Sequence, residues 1–247
     1  MFAIYRKEIS GFFSSLTGYI VIIVFLLINS LFIWVFPGEW NILDSGYAGL
    51  DTLFFLSPWV FMFLVPAVTM RMIAEEKRLG TIELIYSRPI TERGIIYGKY
   101  FASVSLVLLA LLPGIIYYFS VYQLGESPGN IDKGGTIGSF IGLFFLASVY
   151  ASAGIFASSV TDNQPIAFIL AVLLCFVLFI GFDSFAYLPG LKKLDEFVIN
   201  LGINEHYKSI SRGVIDIRDV VYFIAVVVFF NEATRFYLVS RKWKKKS

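Results

Sequence analysis

Residues 75–99 read EEKRLGTIELIYSRPITERGIIYGK and hold the side chains of this chain most able to do chemistry. Glu75 and Glu76 are adjacent carboxylates, a pairing that can hold a metal or move a proton. A metal site needs three or four ligands from His, Cys, Asp or Glu. The only histidine, His206, is far along the chain, and the only cysteine, Cys175, sits alone in an apolar run. Cys175 therefore forms neither an intramolecular disulfide nor a cysteine metal cluster. Gly94-x-x-x-Gly98-Lys99 approaches the phosphate-cradling pattern G-x-x-x-x-G-K-[ST]. Its spacing is too short, and Tyr100 stands where a hydroxyl ligand for magnesium is needed. Nucleotide hydrolysis by this route is excluded, and no cofactor, catalytic residue or metal site is expected. What remains for this charged stretch is recognition of a partner or a plain solvated hairpin between two helices.

The elements around it decide where that partner is met. The chain has 247 residues, 57% hydrophobic and 15% charged, against about a quarter charged in a soluble domain. This composition is that of an integral membrane protein, and the expected fold is all-α. A span needs about 20 apolar residues to cross a hydrocarbon core of about 30 Å. Six spans are read at 17–36, 53–71, 101–122, 137–160, 165–187 and 220–239, within one membrane domain covering 1–247. The charged stretch joins the second span to the third, so it is held at a membrane face. The last span is interrupted by Asn231, Glu232 and Arg235; Glu232 and Arg235 are three apart and can pair on one helix face.

Most of the 20 Lys and Arg residues fall at the termini and in the loop between spans two and three. The excess of positive charge predicts that both termini and residues 75–99 are cytoplasmic. Before the first span, Tyr5, Ile9, Phe12, Phe13 and Leu16 follow a helical period, with Arg6, Lys7, Ser10 and Ser14 opposite. This predicts an amphipathic helix in the membrane interface; a plain extension of the first span fits the same pattern. No small-residue cleavage site follows that span, which argues against a removable signal. Gly138, Gly142, Ala147, Ala151 and Gly154 in span four predict close helix packing. Pro58, Pro66 and Pro113 predict kinks in spans two and three. Apolar spacing between Leu191 and Leu201 predicts short helices on the outer face, with breaks at Gly202 and Gly213.

The run Glu75-Glu76-Lys77, Gly80-Thr81, Glu83-Leu84, Arg88-Pro89-Ile90, Gly98-Lys99 resembles the ABC-2 family of ABC-transporter permeases. The resemblance includes the place of the run between spans two and three, the six spans and the N-terminal helix. It implies a bacterial inner (plasma) membrane permease subunit, multi-pass and export-type, that is not itself an enzyme. It also implies that residues 75–99 contain a short coupling helix meeting a separate ABC ATPase subunit. Glu75, Glu76, Lys77, Gly80 and Thr81 are the matching contact candidates. Because exposed ion pairs are worth under about 1 kcal/mol each, an apolar anchor is expected as well, with Ile82, Leu84 and Ile85 as candidates. The implied partners are ATPase subunits, a second permease of the same or a related chain, and the lipid membrane, with no nucleic acid. The stretch from His206 to Asp219 is similar to the branch that includes gliding-motility-associated permeases and the permeases of copper-enzyme maturation loci, and the aromatic-rich spans, with 26 Phe, favour the gliding-motility type.

Other functions fit less well. One class of membrane protease uses E-E-x-x-x-R with intramembrane histidines, but the arginine position here is Gly80. A secondary transporter calls for buried carboxylates and broken helices in paired repeats, and no internal repeat is evident. A structural membrane anchor of a motility or envelope complex is the alternative that the spans alone allow; it would not need the coupling run.

Overall fold

The computed structural model describes residues 1–125, 130–186 and 198–244, and among them every regular element is a helix. Six helical segments are long and apolar enough to cross a membrane: Gly18–Val35, Asp51–Arg78, Glu92–Leu124, Lys133–Val160, Gln164–Phe185 and Ile217–Ser240. They coincide with the six spans expected from hydropathy to within a few residues at most ends, and the second, third and fourth run further where charged residues extend the helices.

Helix α1 (Phe2–Phe13) ends at Ser14, and α2 (Leu16–Ser30) continues through a π turn, Leu31–Val35. A four-residue α3 (Ile42–Ser45) follows, opened by Asn41, whose side chain accepts from the Leu43 amide. Helix α4 (Asp51–Arg78) is the second span. It runs several residues past the expected end at 71, so Glu75, Glu76 and Lys77 are part of the spanning helix and not of a loop. Helix α5 (Thr81–Tyr86) stands alone between α4 and α6 (Glu92–Leu111). Pro113 separates α6 from α7 (Gly114–Leu124), so the third span is broken at the proline that cannot donate to the ladder. Pro58 and Pro66, by contrast, are carried inside an unbroken α4.

Helix α8 (Lys133–Val160) is the axis of the bundle, and 72% of its apolar window is buried. Asp132 opens it by accepting from the Gly135 amide, and α4, α6 and α9 (Gln164–Phe176) surround it. The fifth span continues through a second π turn, Val177–Gly181, into α10 (Phe182–Ala186). Helices α11 (Ile203–Ser211) and α12 (Ile217–Lys244) complete the described chain. A short helix, α11, stands between the fifth and last spans. Its breaks fall at the expected glycines: Gly202 precedes it, and Gly213, with φ of +86°, follows it. The expected apolar positions Leu191, Leu194 and Phe197 lie outside the described residues.

Because lipid tails are as apolar as leucine, helices in a membrane gain little from hydrophobicity and pack through small residues. The small positions of α8 do this. A Cβ on Gly138 would collide with the Ile210 carbonyl and the Gly213 backbone, and one on Gly154 would collide with Thr69 Oγ1 of α4. One on Gly142 would stand 3.0 Å from the Tyr207 ring. Tyr207 then donates through its hydroxyl to the Phe54 carbonyl at 2.8 Å, tying α11 to the start of α4.

Candidate functional site

Helix α4 reaches the end of the bundle still fully wound and must then turn sharply. Leu79 closes it by donating its amide to the Glu75 carbonyl at 2.9 Å, and Gly80 takes φ of +70°. That left-handed conformation costs a side-chain-bearing residue roughly 1 kcal/mol or more and glycine almost nothing. The Thr81 hydroxyl reaches back to the Glu76 carbonyl at 3.4 Å. Six residues later the helix stops. Ser87 donates its amide to Glu83 and its hydroxyl to Leu84, Arg88 and Pro89 carry the chain back, and Thr91 caps α6 by accepting from the Gly94 amide at 3.1 Å.

None of the α5 side chains is buried. Leu84 is 67% exposed and Glu83 faces solvent beside it. Leu79, in the preceding turn, is 61% exposed. Ile82, Ile85 and Tyr86 are half-buried, and Ile82 packs on the core. Burial pushes the Tyr86 hydroxyl up to about 12, helped by the negative charges of Glu92 and Glu76. The apolar residues of this segment therefore divide. Leu79 and Leu84 look outward, while Ile82 and Ile85 help seat the helix on its own bundle. A cleft of about 470 Å³ runs between α1 and this segment, with Arg71, Glu75, Leu79, Thr81 and Leu84 on its walls.

Beneath α5 lies a cluster of four charges from three helices. Lys99 of α6 is 1% exposed. Its ammonium donates to Glu8 Oε1 at 2.8 Å and to the Met72 carbonyl at 2.7 Å, and it forms an ion pair with Glu76 Oε1 at 2.8 Å. Lys7 donates to the same Glu76 oxygen at 2.6 Å. Burial opposes the Lys7 charge, but the hydrogen bond and charge of Glu76, with Glu8 behind them, outweigh it and raise its pKa. Two ammonium groups face two carboxylates, so the cluster is neutral as a whole, which is the condition for holding charge out of water. Glu76 was expected as an exposed charge; it is 8% exposed and turned inward. Glu75 and Lys77 are half-buried, and Arg78 is exposed. Lys77 lies over the Tyr237 ring at 5.3 Å and donates to the Ser159 carbonyl, joining α4 to α8 and α12.

Two further contacts fasten this end. The short-spaced pair Gly94 and Gly98, which fails as a phosphate loop, is the seat of α1. A Cβ on Gly98 would stand 3.0 Å from the Met1 carbonyl and from Ile4. The amphipathic α1 therefore lies against α6. Ile4 and Phe12 are buried, Tyr5, Ile9 and Phe13 are half-buried, and Tyr5 shares a hydrogen bond with Ser105 at 3.1 Å. Leu16, expected on the same face, is 76% exposed because Ser14 and Ser15 end the helix before it. At the other flank, Arg93 donates to Glu232 at 2.8 Å and Arg235 donates to it at 3.0 Å, realising the expected Glu232–Arg235 pair and adding a third partner.

One contact bears on bending. The Ser158 hydroxyl of α8 accepts from the Ile73 and Ala74 amides, each at 3.0 Å, and donates to the Met70 carbonyl at 2.8 Å. A side chain that enters a helix ladder in this way is one of the causes by which helices kink. The sequence puts bending at Pro58, Pro66 and Pro113 and marks Ser158 only as one of the small packing residues of span four, since a serine in an apolar helix looks the same whether it bonds its own turn or a neighbour's. Lys99 was legible only as the end of the charged run, and Glu8 was not singled out. Among the described residues no group of three or more His, Cys, Asp or Glu stands close enough to hold a metal ion.

A helical bundle with an exposed six-residue helix at the turn between its second and third spans matches, over residues 4–234, the family model described as ABC-2 family transporter protein. The chain belongs to the ABC-2 transporter family. No curated protein matches it. Membership, together with the six apolar helices, makes this ABC-2 chain a multi-pass membrane permease subunit that is not itself an enzyme, and it implies association with an ABC ATPase.

Proposed function

We propose that this ABC-2 permease passes the motion of a separate ATPase into spans two and three through α5. The observation that carries the reading is an exposed helix whose root is an internal charge cluster shared by α1, α4 and α6. A push on α5 acts on Glu76 and, through Lys99, on the third span and the N-terminal helix together. In this reading Glu75, Lys77, Gly80, Thr81 and Leu84 serve contact or shape, Ile82 and Ile85 seat the helix, and Glu76 transmits.

The energetics call for an apolar anchor. Driving a two-state equilibrium from 1:99 to 99:1 takes about 5.5 kcal/mol of differential binding. Exposed ion pairs supply under about 1 kcal/mol each. Leu79 and Leu84 are the exposed leucines of the segment, and full burial of each is worth about 1.5–3 kcal/mol. Two permeases, each offering both leucines to one ATPase, reach the required range. The working unit is thus two permease chains, the same or related, over two ATPase subunits.

The transport direction proposed is export. The location proposed is a bacterial inner membrane with both termini and α5 cytoplasmic, supported by the Lys and Arg gathered at that end of the bundle. The gliding-motility branch rests on the stretch from His206 to Asp219 and on the 26 Phe of the chain; the family match stops at ABC-2. A structural anchor would keep its partners without moving. The test is the double variant Leu79→Ala/Leu84→Ala in the reconstituted complex, with spin labels on α4 of the paired permeases. ATP should change the distance between labels in the wild type and leave it unchanged in the variant, while Ile82→Ala should lower thermal stability and preserve the change. A full ATP-driven change in the double variant would place the lever elsewhere; no change in the wild type would favour the anchor.

A further inference from the structure

The break at Pro113 has a consequence on the lipid side of the bundle. Past it, a crevice of about 430 Å³ opens between α6, α7 and the first half of α8. Leu108, Leu112 and Ile115 form one wall, and Ile137 and Phe144 form the other. Ile137 and Leu112 are 61% and 53% exposed, so the crevice is open along its length to whatever surrounds the spans. Its floor is closed where Gly114 lets the Phe140 ring come near.

At the mouth stands Lys133, the first residue of α8. It is exposed and makes no ion pair or hydrogen bond among the described residues. Its neighbour Asp132 is committed to the helix cap, accepting from the Gly135 amide at 3.0 Å. The positive end of the α8 dipole adds to the Lys133 charge at the same place. From Lys133 to Phe144 the helix rises about 16 Å at 1.5 Å per residue, close to half of a hydrocarbon core of about 30 Å. The crevice therefore has the depth of one leaflet, apolar apart from Thr136 and the Tyr118 hydroxyl and cationic only at the top.

We propose that this crevice is a binding site for an anionic phospholipid of the leaflet opposite α5, with one acyl chain between Leu112 and Ile137 and the phosphate at Lys133. A cation at the top of an apolar slot one leaflet deep has the charge order and length of such a lipid. A second protein helix would leave Lys133 without a partner, and a neutral lipid would not use it. Bound there, the lipid wedges α7 against α8 at the broken third span.

The experiment is native mass spectrometry of the purified full chain titrated with phosphatidylglycerol or phosphatidylcholine of identical acyl chains. The wild type should retain phosphatidylglycerol more strongly. Lys133→Gln should reduce that preference by about fivefold, the scale of one exposed charge pair, and leave phosphatidylcholine retention unchanged. Ile137→Trp and Leu112→Trp, which fill the slot from opposite walls at exposed positions, should each abolish the tightly retained lipid while keeping the melting temperature. Equal retention of the two lipids by the wild type would overturn the headgroup assignment. Undiminished retention in both tryptophan variants would overturn the crevice. A change of oligomeric state in those variants would make the occupant a second copy of the chain and refute the lipid.

Discussion

The two ends of this bundle differ in the contacts that dominate, although Gly98 seats α1 at one end and His206 meets Asp219 at 2.7 Å at the other. At the α5 end, the helices are joined by long charged side chains: Lys99 and Lys7 to Glu8 and Glu76, Lys77 across to α8 and α12, Arg93 to Glu232. At the α11 end, they are joined by close approach of backbones, with Gly138 against Ile210 and Gly213, Gly142 against Tyr207, and one hydroxyl bond from Tyr207 to Phe54. Charged side chains several bonds long can follow a helix that tilts and still keep their partners. Glycine seats cannot, since a shift of a fraction of an ångström opens a gap or makes a collision. The end proposed to receive motion carries long adjustable links beside the glycine seat of α1, and the far end rests mainly on fixed seats.

The largest effect is expected from breaking the buried cluster. Lys99→Met leaves Glu8 and Glu76 with Lys7 as their only partner in the cluster, and removing one partner of a buried pair costs about 3–5 kcal/mol. The detergent-solubilised variant should melt far below wild type. Lys99→Met/Glu76→Gln restores charge balance through the remaining Lys7–Glu8 pair and should recover much of the loss. A double variant no more stable than the single one would mean that packing and not charge holds this end.

A smaller but still clear effect should come from the other end. Gly138→Ala forces a methyl into the Ile210 carbonyl and the Gly213 backbone, where neither side can yield cheaply. Overpacking of this sort costs typically about 1–3 kcal/mol. If the comparison holds, the melting temperature should fall while ATP-driven movement at α5, measured at a temperature where the variant is folded, stays as in wild type. Loss of that movement would join the two ends into one mechanical unit.

The smallest effect belongs to the exposed pair. Arg93 and Glu232 lie at the surface, with side chains 60% and 34% exposed. Glu232→Gln should shift stability slightly at low salt and not at all at high salt, because surface pairs are screened. A salt-independent loss as large as that of Lys99→Met would place Glu232 among the structural charges with Glu76.

How far these contrasts could be read in advance differs between the ends. The break residues Gly202 and Gly213 and the small positions of α8 were legible, because glycine has few other uses in a span. The charged run was legible as a recognition segment, and Gly80 as its turn. Its internal division was not. Hydropathy makes Glu75 and Glu76 equivalent and groups Ile82, Leu84 and Ile85 together. A helix of six residues turns them in different directions, leaving Leu84 outside and Ile82 against the core.

The sequence by itself determined that this chain crosses a membrane six times, that the charged run sits between spans two and three, and which positions are small enough for close packing. These are local properties: about 20 apolar residues in a row must cross a bilayer, and a charged run between two such spans must stay at its surface. Only the tertiary structure decided that Lys99 reaches Glu8 and Glu76, that Gly94 and Gly98 are the seat of α1, and that Ser158 bonds into α4. Residues 8 and 99 are brought together by how α1 packs on α6. No period or composition along the chain encodes which helix a lysine will face, so the charge cluster appears only when the helices are assembled.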